Sequence, residues 1–254
     1  LPRLYGNRNT TRKENGSISD NGCGKFNDLT ASVLKSIWQK GATHVWFTGV
    51  IRHATKTDYS AQGIPVNHPA IVKGNAGSPY AITDYYDVDP DLAEDVDSRM
   101  AEFEALVARA HKSRLGVIID FVPNHVARQY VSLCKPKGVH DLGADDNQEQ
   151  GFNPQNNFYY CPGCSFEPYL DLYAGTAEPY HEEPAKATGN DHFDHKPGQN
   201  DWYETVKLNY GVDYYAGGIG YFTPIPDTWF KMRDILLFWA SKGVEGVRCD
   251  MAEM

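Results

Sequence analysis

Three stretches of the chain repeat one pattern of apolar and polar positions. In DLTASVLKSIWQKGATHVWFTGV, from Asp28, the apolar Leu29, Val33 and Ile37 recur at helical spacing, Asp28 or Thr30 supplies a cap, Gly41 stops the helix, and an apolar run follows. DVDSRMAEFEALVARAHKSRLGVIIDFVPNH, from Asp95, repeats this with an acidic cap, a face of Met100, Phe103, Leu106, Val107 and Ala110, then Gly116 and a second apolar run. DTWFKMRDILLFWASKGVEGVRCD repeats it again, capped by Asp227 and stopped by Gly243. Helix, glycine and continuous apolar strand in this order mark parallel βα units, whose strands are covered on both faces. The opening LPRLYG reads as the tail of an earlier strand, which makes four strands and an α/β fold.

Between the second and third units lies a stretch from 126 to 226, far longer than the ~2 to 6 residues of an ordinary βα loop. It is rich in Gly, Pro, Asn, Asp and Tyr and poor in periodic apolar runs, so irregular structure with short strands is expected. The chain then divides into 1–125, the inserted 126–226, and 227–254, which returns to the βα plan. Long insertions after strands put the functional face at the carboxyl edge of the sheet.

Polar residues collect at that edge. In GVIIDFVPNH the expected strand ends with Asp120, followed by Asn124 and His125. In GVRCD the two-residue period of a strand sets Arg248 and Asp250 on one side and Val247 and Cys249 on the other. Taken singly, Arg248 and Asp250 read as a structural ion pair, Asp120 as a loop anchor and His125 as a structural histidine. At successive strand ends of one array, the four outline a site with a nucleophilic carboxylate, because an adjacent guanidinium favours the ionised form.

Composition narrows the partners. A formal charge of -9 offers no basic surface for phosphates, which argues against nucleic acid. The longest apolar run, ILLFWA from Ile235, is too short for a membrane span, and the start LPRLYGNRNTTRKENG is no signal peptide. A 41% hydrophobic content suffices for a core, and 16 Tyr and 5 Trp suit sugar rings. Five cysteines make no disulfide scaffold. The pair Cys161 and Cys164 in CPGC, with Cys134 as a third partner to weigh, lacks the ligands of a metal centre and reads as a disulfide or as buried thiols. HFDH, His192 to His195, reads as a solvated loop, and NTT at Asn9 and NGS at Asn15 are chance-level sequons. The compartment stays open, with a secreted or periplasmic setting weighed ahead of a cytoplasmic one.

DFVPNH resembles the first motif of the α-amylase family of glycoside hydrolases, and GVRCD the second, which carries the nucleophile. WFTGV resembles that family's second strand, and SPYAITDYYDVDPDLAEDVD the segment that supplies an aromatic to the sugar. All four stand in family order. The resemblance implies a (β/α)8 TIM barrel of which the first four βα units are present, with LPRLYG, THVWFTGV, GVIIDFV and GVEGVRCD as strands one to four and 126–226 as an irregular B domain after strand three. It implies Asp250 as nucleophile, Arg248 as its positioning partner, and His125 as a hydrogen-bond donor to the sugar. Tyr80 would stack on that sugar, Asp120 would support the site, and Asn124 would be a calcium ligand. No cofactor is required, and calcium is compatible.

The implied activity is retaining hydrolysis of α-glucosidic bonds in starch-like glucans or maltooligosaccharides, which needs a second, protonated carboxyl roughly 5 to 5.5 Å from the nucleophile. The family acid is a glutamate at the end of the fifth strand, past Met254, so the chain is expected to be an incomplete and inactive catalytic domain. Glu253 corresponds to a substrate-side residue. Two departures stand out: Lys207, in VKLNYG, occupies a place often held by an acidic calcium ligand, and Met254 one often held by His. Competing readings are a transglycosylase of the same family, a non-catalytic relative used for binding or assembly, and an unrelated barrel enzyme using Asp120 and His125 on a metal.

Overall fold

A computed structural model describes residues 3–253. Helix α1 (Ala31–Gln39) begins where the Thr30 hydroxyl accepts from the Val33 amide, so Thr30 and not Asp28 is its cap. Strand β1 (His44–Phe47) follows, and beyond it β2 (Ile51–His53) pairs antiparallel with β3 (Ile82–Val88). Helix α2 (Arg99–Lys112) leads into β4 (Gly116–Phe121). Next come β5 (His125–Ala127) and, across the long insertion, its antiparallel partner β6 (Thr205–Lys207). Helix α3 (Asp227–Ser241) leads into β7 (Gly246–Cys249).

The strands β1, β4 and β7 form one parallel sheet in chain order, with Trp46 beside Ile118 and Arg248 beside Asp120. Alternation along each strand sends Val45, Phe47, Val117, Ile119 and Phe121 to the helical side, where they are buried in one core with Leu34, Phe103, Leu106, Val107, Ile235 and Trp239. Trp239 closes this layer: its ring meets Phe103 edge-on at 5.7 Å and its indole N–H donates to the Tyr85 carbonyl at 2.9 Å. The opposite face carries Trp46, Ile118, Asp120 and Arg248, and there Trp46 is 47% exposed.

Three local expectations are corrected. Arg3–Gly6, read as a strand tail, forms a turn, while Leu1 and Pro2 lie outside the described residues, so three parallel strands are seen where four were expected. Asp227 is the first helical residue of α3 and does not cap it; its carboxylate takes Asn157 Nδ2 at 3.1 Å and Lys231 at 2.9 Å. Cys134 lies beside Asp84 and Asp87, away from Cys161 and Cys164, and all five cysteines are free. The stop at Gly243 holds, with φ of +87° just past the end of α3. Among the described residues no helix is long and apolar enough to cross a membrane.

Candidate active site

The site starts from the sheet ladder. The Asp250 amide donates to the Phe121 carbonyl at 2.8 Å, which carries the strand pairing one residue past β7 and fixes the Asp250 side chain on the Arg248 side. There the Arg248 guanidinium meets Asp250 at 2.5 Å and Asp120 at 3.7 Å. Trp46, from the neighbouring strand, donates its indole N–H to Asp120 at 3.1 Å and sets its ring 5.7 Å from the Arg248 guanidinium, within cation–π range. Arg248 thus stands between two carboxylates, one on its own strand and one on β4. Burial pushes the Asp120 carboxyl up, against the Trp46 hydrogen bond and the Arg248 charge, which pull it down.

Asp250 also lines a cleft of about 280 Å³ together with Lys73, Ser78, Tyr80, His125, Trp202 and Glu204. Of the sequence-predicted residues, then, Asp250, Tyr80 and His125 share one cavity, and Arg248 and Asp120 support Asp250 from the strand side. The Tyr80 phenol is raised by its burial and by the charges of Asp120 and Asp250, with Arg248 acting in the opposite sense. His125 is 3% exposed, and burial pushes its imidazole down to about 4; the charge of Asp250 opposes this and that of Lys207 adds to it. Its ring is therefore neutral at ordinary pH. The Trp202 ring packs edge-on against it at 5.3 Å.

The orientation of His125 is set from behind. Pairing of β5 with β6 puts His125 opposite Lys207. The Lys207 ammonium donates to Asn124 Oδ1 at 2.5 Å, so the other end of that carboxamide points its N–H bonds at the Gly189 carbonyl, 2.7 Å away, and at His125 Nδ1, 3.0 Å away. With Nδ1 accepting, the ring proton belongs on Nε2. Gly189 has no room for a side chain, because a Cβ there would come within 2.8 Å of His125 Cβ and 2.6 Å of Thr205 Oγ1.

Asn124 was the expected calcium ligand. Calcium takes six to eight oxygen ligands at 2.3–2.6 Å. Asn124 Oδ1 and Asp191 Oδ1 stand 2.5 and 2.6 Å from Lys207 Nζ, which fills the space between them with a covalently attached cation. The residues around Asn124 do not fit a calcium ion while Lys207 occupies that position. Nothing in the local sequence pattern singles out Asp191 or Glu204, since both lie in the aperiodic insertion, and Lys207 stands out only as a departure.

Other cavities lie beside the cleft or apart from it. One of about 390 Å³, walled by Tyr159, Tyr210, Tyr214 and Trp229, shares Met251 with it and offers aromatic faces. A more enclosed one of about 140 Å³ lies between Arg52, His53, Thr83 and Gln129. Arg52 in its wall is paired with Asp84 at 3.0 Å and Asp87 at 3.3 Å.

The family model described as alpha amylase, catalytic domain, matches residues 20–254. The chain belongs to the α-amylase family. Its fold is accordingly of the (β/α)8 barrel type. Among curated proteins, Maltase 1 of Drosophila virilis is 28% identical over 173 residues, covering 67% of this chain and 22% of that protein. The amino acid transporter heavy chain SLC3A1 of Homo sapiens is 26% identical over 178 residues, covering 67% of this chain and 20% of that protein. Among solved structures, an alpha-amylase from Lactobacillus plantarum is similar over 90% of this chain and 35% of its own, at 23% identity and a TM-score of 0.49. The chain thus spans about a fifth of the length of these curated relatives.

Proposed function

We propose that these residues form the nucleophile half of a retaining glycoside hydrolase site acting on α-glucosidic linkages of starch-like glucans or maltooligosaccharides. The observation that carries the reading is the meeting of Asp250, His125 and Tyr80 in one cleft, with Arg248 at 2.5 Å from the Asp250 carboxylate. In this reading Asp250 attacks the anomeric carbon of the bound glucose, the bond to the leaving oxygen breaks, and a glucosyl ester on Asp250 results. Arg248 holds the attacking oxygen in place. His125 donates from Nε2 to a sugar hydroxyl, and its neutral ring adds no positive charge next to the developing oxocarbenium ion. Tyr80 gives the ring an aromatic face, and Asp120 keeps Arg248 and Trp46 in register. The segment 126–226 supplies Trp202, Glu204 and Thr205 to the cleft and acts as the inserted B domain of the family.

The leaving oxygen needs a protonated carboxyl. Glu253 lies in an exposed turn, and Glu204 faces the Lys73 ammonium at 3.8 Å, a partner that favours its ionised form, so neither is assigned that role. Water or a second sugar can resolve the glucosyl ester, so transglycosylation remains the runner-up within the same chemistry.

The test is incubation of the purified protein with maltotriose, read by NMR for the anomer formed first. Release of α-configured product supports the retaining reading; β-configured product overturns it. Binding of maltotriose with no turnover even when Asp250, Arg248, His125 and Tyr80 are intact would favour a binding or assembly role instead.

A further inference from the structure

The insertion buries one ammonium group at the back of the cleft, and the residues around it explain why. Lys207 is 3% exposed, yet its stem enters from β6 and its Nζ ends between two oxygens from separate parts of the chain, Asn124 Oδ1 at 2.5 Å and Asp191 Oδ1 at 2.6 Å. The Tyr214 ring lies 5.9 Å away on another side. Asp191 sits at a φ of +65°, a left-handed conformation that Asp tolerates better than most residues, and this turn brings its carboxylate over the ammonium. A buried charge is retained only when it is paired and hydrogen-bonded, and here both conditions are met.

The consequence reaches the cleft through Asn124. A carboxamide can be flipped end for end at small cost unless something distinguishes its oxygen from its nitrogen. Lys207 makes that distinction, because an ammonium has donors only and must face Oδ1. Nδ2 is then committed to Gly189 and to His125 Nδ1, which fixes the tautomer and the direction of the imidazole. The separations from Nζ to the two oxygens match those of calcium to its ligands.

We propose that Lys207 is the built-in structural cation of this site: its ammonium joins Asn124 to Asp191 in place of a divalent ion and, through Asn124, positions His125 toward the cleft. Lys207 is a positioning residue: it borders the neighbouring 390 Å³ cavity and is not among the residues lining the cleft. The role of His125 toward sugar rests on the function proposed above, but the bridging role of the ammonium does not.

Thermal unfolding of the purified protein in EDTA and in millimolar calcium chloride tests the bridging role without reference to activity. The same midpoint is expected in both. A resident calcium ion at saturating concentration would separate them by roughly 5 to 10 °C, and such a calcium-restored separation overturns the proposal. Lys207→Asp should lower the midpoint in EDTA and make it rise on adding calcium, because a carboxylate now faces two oxygen ligands. In the same variant, calcium should restore maltotriose binding that EDTA abolishes, which a merely structural role for Lys207 would not produce. If Lys207→Asp does not fold, Lys207→Met decides: a lowered midpoint indifferent to calcium supports the proposal, and an unchanged midpoint overturns it. Failure of maltotriose to bind the unsubstituted protein would count against the proposed function and leave the thermal result standing.

Discussion

Arg248 and Asp250, two residues apart, meet in a 2.5 Å ion pair on the sheet face that also carries Asp120 and Trp46. The strand period brings them to one side, and the ladder bond from Asp250 to Phe121 holds them there. Exposure of the Arg248 side chain, at 41%, means that the pair is worth little as a stabiliser, and in the proposed function its value lies in aiming the carboxylate. Asp250→Asn in the active enzyme should therefore lower kcat by roughly 10⁴- to 10⁶-fold while maltooligosaccharide affinity changes only a fewfold. Steady-state kinetics beside calorimetric binding will check this, and substantial retained turnover would remove Asp250 from the reaction.

Tyr80 lines the cleft, and in the proposed function its ring stacks on sugar, a kind of aromatic contact worth about 0.5 to 1.5 kcal/mol beyond area burial. Tyr80→Ala should reduce kcat/KM by at least about fivefold, and Tyr80→Phe should keep most of it. Equal losses in the two variants would point to the hydroxyl, not the ring face.

His125 gives a pH dependence with a definite sign. Burial holds its pKa at about 4 in the folded protein against a usual 6.5, so on acidification the unfolded chain takes up a proton first. Its share of stability is fully present above about pH 6.5 and is lost as pH falls toward 4, by about 3 kcal/mol in all. His125→Gln should lose that share of the acid sensitivity. Denaturant titrations of both proteins across this window will show it as a stability difference that shrinks as pH falls.

Gly189 tests the packing behind His125. A methyl group there would meet His125 Cβ at 2.8 Å and Thr205 Oγ1 at 2.6 Å, both on paired strands that cannot easily yield. Gly189→Ala should cost about 1 to 3 kcal/mol in unfolding free energy and weaken maltooligosaccharide binding together with it. Unchanged stability would show that β5 and β6 give way more readily than their pairing suggests.

Much of the site was legible along the chain because a strand's period of two is a local property. Arg248 and Asp250 could be put on one face from the alternation in GVRCD alone, Asp120 at the end of its strand, and the core face of α2 from Phe103, Leu106, Val107 and Ala110. What local pattern cannot carry is contact between aperiodic segments. Lys207 and Asp191 meet through a turn in the insertion, Cys134 settles beside Asp84 and Asp87, and Arg3–Gly6 turns although its composition suits a strand. Each of these is decided by tertiary neighbours.

The role of Asp250 as nucleophile is tested most directly by covalent trapping with 5-fluoro-α-glucosyl fluoride. Its fluoride leaves without needing protonation, so trapping depends on the nucleophile and not on the acid. Mass spectrometry of the digested protein should find the fluoroglucosyl mass on the peptide holding Asp250, and none in Asp250→Asn. An adduct on Asp120, Glu204 or Glu253, or equal consumption of the reagent by Asp250→Asn, would contradict it.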